Sequence, residues 1–200
     1  MLPARPHRLP SRPPAPTVRH TVLGAPRRGA AESFIRQIFR RHYGAEVRSF
    51  APNLMLLEDG QRIAAAAGWR CAGDEALFLE TYLDEPIDQA LTRLAGQPVC
   101  RRRIVEVGHL AAGQPGSSSR VILALADHLD RLGYEWVVFT ATRQLIGIFQ
   151  RLGLPPLALA PADPARLGAD AADWGSYYAS GPIVVAGRIR LALDKAAHHG

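Results

Sequence analysis

Between Arg103 and Gly153 the chain writes out one unit that narrows the fold more than anything else in it. Arg103 to Leu110 (RIVEVGHL) reads as a strand, and Gly113 to Ser119 as a Gly/Ser loop. Arg120 to Leu132 has helical spacing, with Ile122, Leu125, Leu129 and Leu132 on one side and Gly133 as the stop. Tyr134 to Ala141 (YEWVVFTA) is apolar without alternation, as strands covered on both faces are. A second helix follows, Arg143 to Leu152, stopped by Gly153. Strand, crossover helix and buried strand together predict a parallel pair inside a sheet with helices on it.

Upstream, the signals are those of antiparallel pairing. Thr17 to Leu23 is a candidate first strand, and Ala30 to Tyr43 is a helix with Phe34, Ile35, Ile38 and Phe39 on one stripe and Gly44 behind it. Asn53 to Leu57 and Arg62 to Trp69 flank Asp59-Gly60, a strong hairpin signal. Ala76 to Tyr82 reads as a further strand and Pro86 to Leu94 as a short helix. Leu157 to Ala160 and Ile183 to Ala186, or on to Leu193, close the series. The expected order is β-α-β-β-β-α-β-α-β-α-β-β, an α/β (α+β) fold with a mixed central sheet flanked by helices.

Charge is distributed unevenly. The net charge is +6, but residues 1–28 hold six arginines and no acid, while the remainder has 18 basic and 18 acidic residues. The basic character belongs to the first segment, so the sequence gives no reason to expect nucleic acid as a partner of the folded part. Residues 1–16 are Pro/Arg-rich and are expected to be a disordered tail, 17–193 a single domain and 194–200 a C-terminal tail. Cys71 and Cys100 form no framework. No apolar run approaches the ~18–20 residues of a membrane helix, and no signal-peptide apolar core follows the first arginines. A cytoplasmic location without stable membrane insertion is the expectation; oligomeric state is left open.

The stretch Glu106-Val107-Gly108-His109-Leu110-Ala111-Ala112-Gly113-Gln114-Pro115-Gly116-Ser117-Ser118-Ser119-Arg120 carries the functional signal. A strand that ends in a Gly/Ser loop and opens a helix offers free amides to an anion, a pyrophosphate or a phosphopantetheine phosphate. The other reading is a flexible turn with serine caps. The loop lacks Gly-Lys-Ser/Thr and GxGxxG, so it is neither a Walker nor a dinucleotide turn. No ordered Ser/His/Asp set is readable. Glu106 and His109, three apart on a strand, are expected on opposite faces, and no metal site is expected.

This strand-loop-helix and the element order resemble the GNAT N-acyltransferase superfamily. More narrowly, Phe50-Ala51-Pro52-Asn53-Leu54, Leu79-Glu80-Thr81-Tyr82-Leu83, Glu106 to Ala111 and Trp174-Gly175-Ser176-Tyr177-Tyr178 resemble the thermostable haemolysin family, itself similar to acyl-homoserine-lactone autoinducer synthases. The resemblance implies an acyl thioester donor, acyl-CoA or acyl-carrier protein, and an amine acceptor. It also implies a departure: where the usual phosphate loop has Gln/Arg-x-x-Gly-x-Gly/Ala, Gly113 and Ser118 stand around Gly116. That leaves an acyl-carrier donor open. The expected roles are Glu106 as base, or else as a structural carboxylate paired with an arginine; the amides of Leu110, Ala111 and Ala112 as oxyanion donors; and Gly113, Gln114, Gly116, Ser117, Ser118 and Ser119 as the cofactor loop. Tyr177 is the candidate proton partner of the leaving thiolate, with Tyr178 as an alternative or simple packing as the other reading. Trp174, Tyr178 and Phe50 are candidate substrate-pocket residues. The competing function is a membrane-active cytolysin, for which the arginine-bearing helix 30–43 would lie in an interface.

Overall fold

The structure is a computed structural model that describes residues 16–198. The expected disordered tail lies outside the described residues, apart from Pro16. The elements are β1 (Thr17–Val22), α1 (Arg28–Tyr43), β2 (Asn53–Asp59), β3 (Arg62–Cys71), α2 (Ile87–Ala95), β4 (Ile104–Ala112) and α3 (Ser117–Arg131). There follow β5 (Trp136–Ala141), α4 (Arg143–Arg151), β6 (Leu157–Pro161), β7 (Ile183–Arg188) and α5 (Ile189–His198). Seven strands form one sheet in the order β1-β2-β3-β4-β5-β7-β6. Every neighbouring pair is antiparallel except β4 and β5, the parallel pair that the crossover helix predicts.

Strand alternation sorts the core onto two faces. On one, Ala31, Ile35 and Phe39 of α1 meet Leu54, Leu56, Ala66 and Ala111, and Ile87 and Leu91 of α2 meet Ile104, Val138 and Val184. On the other, Val121, Leu125 and Leu129 of α3, with Ile189 of α5, meet Met55, Leu57, Ala65, Ala67 and Val105. The alanine run of β3 lets helices approach closely from both sides.

Three expectations are corrected. Residues 76–82 are not a strand. β4 takes the edge of β3 directly, so no place is left for them, and Phe78–Tyr82 forms a 3-10 turn instead. An apolar run that short fits either state. The last strand stops at Arg188, and Ile189 begins a helix that continues through residues 194–198, where a tail was expected. Finally, β4 carries a bulge. Gly68 pairs with Gly108 and Ala66 with Ala111, so His109 and Leu110 together oppose Ala67. His109 has a φ of 53°. The extra residue reverses the parity of the strand, and the His109 ring turns to the α1 face, against Phe39 and Phe50. Glu106 and His109 therefore share a face.

Candidate active site

The β4–β5 ladder ends at Glu106 and Val138, although β4 runs on to Ala112 and β5 to Ala141. Past that point the strands splay, and a cleft of about 1140 Å³ passes between them. Its walls come from both faces of the sheet. On the α1 side stand Phe39, Tyr43, Tyr82, Trp174, Tyr177 and Tyr178; on the other, Ile122, Leu125, Phe139, Leu145, Ile148 and Phe149 of α3, β5 and α4.

Splaying frees backbone groups. Gly113 N–H donates to the Ala64 carbonyl across β3, at 2.9 Å. Alternation then turns Ala111 toward β3 as well, and Leu110 and Ala112 toward the gap. Both of the latter line the cleft, as do Gly113, Gln114, Gly116, Ser118 and Ser119. Ala111 and Ser117 do not. Ala111 is packed into the α1 core, and the Ser117 hydroxyl donates to the Gln114 carbonyl at 2.6 Å. α3 starts behind Gly116 with no side-chain cap, so its first turn presents uncapped amides at the mouth of the splay.

Glu106 is on the cleft wall but only 7% exposed. Its oxygens accept the amides of Phe78 and Leu79, each at 2.9 Å, and Arg70 Nε stands 3.4 Å away. Burial pushes its pKa up; Arg70 and the two amides pull it down, and Glu80 adds to the rise. The carboxylate thus clamps the 3-10 turn to β4, and the arginine-paired arrangement that the sequence left open is present. Glu80 extends the clamp. It accepts the amides of Leu77 and Ile87 and an ion pair from Arg101 at 2.7 Å.

The aromatic wall is held by a strap. Residues Pro164–Trp174 and Tyr177–Ser180 form 3-10 turns that lie over the end of α1. Ser176 N–H donates to the Tyr43 carbonyl at 2.8 Å, Glu46 N–H donates to the Asp173 carbonyl at 2.6 Å, and Arg48 pairs with Asp173 at 2.8 Å. Gly175, with φ 53°, is required there, because a Cβ would collide with the Tyr43 carbonyl. The strap sets Trp174, Tyr177 and Tyr178 on the cleft. Tyr177 packs edge-on against Tyr43 and Tyr178, and burial raises its pKa. The hydroxyls of Tyr82 and Tyr178 bond each other. Burial raises both pKa values; the bond raises Tyr82 further and opposes the rise at Tyr178. Phe50 is not on the wall. Its ring is sandwiched between the Arg36 guanidinium, 4.7 Å from its centroid, and His109.

Sequence reasoning missed Tyr82, Tyr43 and Arg70 and set His109 aside. Gly108, a glycine inside a strand pattern, is the signal of a bulge that would have turned His109 to the cleft. Among the described residues, no group of three or more His, Cys, Asp or Glu side chains is placed to hold a metal.

Comparison with known proteins bears on the fold. No curated protein sequence matches. Among solved structures, FeeM, an N-acyl amino acid synthase from uncultured soil microbes, superposes with a TM-score of 0.63 at 13% identity, covering 92% of this chain and 98% of the other. The AHL synthase LasI gives 0.60 at 14% identity, over 89% and 94%. BjaI, a CoA-dependent acyl-homoserine lactone synthase solved with SAM and isopentyl-CoA, gives 0.57 at 15% identity, over 92% and 89%. At these identities the likeness establishes a GNAT-like acyltransferase fold. The sequence itself is matched over residues 22–193 by the family described as Thermostable hemolysin, and the chain belongs to that family.

Proposed function

We propose that the protein is an N-acyltransferase that moves an acyl group from a CoA or acyl-carrier-protein thioester to an amine. One observation carries this reading: a single cleft threads the splay of β4 and β5, with uncapped α3 amides at one mouth and an aromatic compartment at the other. The α3 amides suit the phosphate of a pantetheine arm. The amides of Leu110 and Ala112 suit the carbonyl oxygen of the thioester, where negative charge develops during attack. The apolar space under α4 suits the acyl chain, and the compartment of Tyr43, Trp174 and Tyr177 suits the amine. Tyr178, on the cleft wall with its hydroxyl bonded to that of Tyr82, is the group placed to give a proton to the leaving thiolate. This assigns to Tyr178 the part expected of Tyr177. Glu106 holds the 3-10 turn that carries Phe78 and Tyr82. Gly113 in place of a Gln or Arg side chain supports a donor with one phosphate to bind, as on an acyl carrier, over the pyrophosphate of CoA.

The cytolysin reading lacks a comparable observation. The apolar face of α1 is spent on the sheet, with Ala31, Ile35 and Phe39 buried. Among the described residues no helix is long and apolar enough to cross a membrane. Any lysis is then expected from an acylated, surfactant-like product.

The test is mass spectrometry of the protein incubated with acyl-CoA and acyl-carrier donors and a pool of primary amines. Loss of thioester with appearance of an N-acyl amine is expected. Intact donors throughout would remove the enzyme reading. Lysis of erythrocytes by purified protein without donor would restore the cytolysin.

A further inference from the structure

Two groups beside the splay hold lone pairs near the cleft, Glu106 and His109. Glu106 is committed, since each oxygen already takes a backbone amide and Arg70 stands against it. His109 is not. Its Nδ1 is fully buried without a hydrogen-bond partner. Nε2 is not among the fully buried unpartnered atoms, the Ser49 backbone carbonyl faces the ring, and the ring lines the cleft, so the edge toward the cleft is assigned to Nε2.

The fold places this ring at some cost. His109 is the one non-glycine with positive φ among the described residues, a strain that persists only where the surroundings enforce it. The bulge turns the ring to the face of Glu106. Beneath it the sheet is cut away at Gly68, where a Cβ would stand 3.2 Å from Nδ1 and 3.0 Å from the Ala51 Cβ. Phe39 and Phe50 flank the ring at centroid distances of 6.5 and 5.3 Å.

We propose that His109 is the proton acceptor of the acyl transfer, with Nε2 facing the attacking amine. This deepens the N-acyltransferase reading and rests on it. The amine lone pair attacks the thioester carbonyl carbon, the C–N bond forms, and the carbonyl electron pair moves to oxygen. The N–H proton passes to His109 Nε2. The oxygen pair then returns, the C–S bond breaks, and the thiolate takes the Tyr178 hydroxyl proton; the proton held by His109 passes through water to the Tyr178 oxygen, so that amide, thiol, a neutral tyrosine and a neutral ring remain. The groups around the ring favour this cycle. Burial first, then Arg70 of β3 and Arg28 of α1, lower its pKa to about 4, while the Ser49 backbone and Glu32 pull the other way. The resting ring is therefore neutral at pH 7 with a lone pair to give, and the developing oxyanion raises its basicity at the moment of transfer.

The experiment measures thiol release from octanoyl thioesters of CoA and of acyl carrier protein with a panel of primary amines. General-base loss is worth roughly 10²–10⁴-fold. His109→Gln is expected to lower kcat at least about 100-fold with KM for the thioester within about threefold. His109→Ala is expected to regain rate with added imidazoles, more with the more basic ones. A His109→Gln kcat within about threefold of wild type overturns the proposal while leaving acyl transfer intact. No thiol release from wild type overturns both. Nitrogen-15 NMR of the wild-type ring guards against variants that misfold: a neutral imidazole with unprotonated Nε2 is expected at pH 7, and an imidazolium or a protonated Nε2 overturns the assignment.

Discussion

α1 and α4 are both amphipathic helices laid on the same sheet, yet they use their apolar faces differently. α1 buries Ala31, Ile35 and Phe39 against paired strands. α4 has Leu145, Ile146, Ile148 and Phe149, and none of its residues is buried. The difference lies under the helices. Beneath α1, strands β2, β3 and β4 stay paired on both sides of their bulges and offer a continuous floor. Beneath α4, β5 has lost β4 as a neighbour past Val138, and the floor has a gap. One helix completes a core; the other packs Leu145, Ile146 and Phe149 on the small cluster of Phe139, Ala141 and Val185 and leaves part of its apolar face, Ile148 included, over the chamber. Apolar surface left uncovered inside a fold is expensive to keep, so the chamber is read as a place for a guest.

Truncation tests this contrast most strongly. Ile35→Ala removes a fully buried side chain from a closed core and is expected to cost about 2–5 kcal/mol. Ile148→Ala, on the chamber roof, is expected to cost under about 1 kcal/mol. Urea denaturation of both variants measures the difference. Equal losses would mean that α4 closes a filled core and that the chamber is not a guest site.

Acid sharpens the contrast on the α1 side. Burial alone would raise the Glu80 pKa, but the Arg101 guanidinium and the amides of Ile87 and Leu77 overcome it and hold the carboxyl at about 2, against an ordinary 4.5. A carboxyl with a depressed folded pKa stabilises the fold above its unfolded value and loses that contribution as pH falls toward the folded one. Stability worth about 3 kcal/mol is therefore expected to disappear between pH 4.5 and 2. Glu58, lowered by Arg19 and Arg27 against its own burial, adds a loss in the same direction. Glu80→Gln should flatten the acid limb of a stability–pH curve measured by urea midpoint. An unchanged limb would deny Glu80 its clamp role.

How much of this was legible follows from range. The helix at Arg28–Tyr43, the hairpin around Asp59-Gly60 and the β4-α3-β5 unit are written in local periodicity and turn residues, and each was readable within a few positions. The loop between β4 and α3 was readable because glycines and serines between strand and helix are a local signal. What was not readable depends on pairing between distant residues. Whether 76–82 is a strand was decided by β4 occupying the edge of β3. The face of His109 was decided by a bulge against Ala67, which Gly108 hints at and only pairing fixes. Phe50 looked like a pocket residue because it is aromatic and lies near the motif; the Arg36 and His109 contacts that remove it come from two other elements. Glu106 was found, but its engagement with Phe78 and Leu79 was not, because those amides were assigned to a strand.

The finest test concerns the guest itself. If the space between α3 and α4 takes the acyl chain, each added methylene leaves water for apolar surroundings, worth about 0.8 kcal/mol. Over a series of thioesters from acetyl upward, kcat/KM is then expected to rise about fourfold per methylene until the chamber is full, and to level off beyond. Ala126, on the chamber wall, is half-buried and small. Ala126→Phe shortens the free length without touching the splay, so the plateau should arrive at a shorter chain while short donors keep their rate. A profile flat from acetyl onward would separate the chamber from the donor and leave the hollow under α4 without an acyl role. A rise that Ala126→Phe does not shorten would place the chain elsewhere, on the aromatic side of the cleft. The mutation thus tells which of the two sides of the split sheet receives the chain, because only the α4 side owes its space to a strand that left its partner.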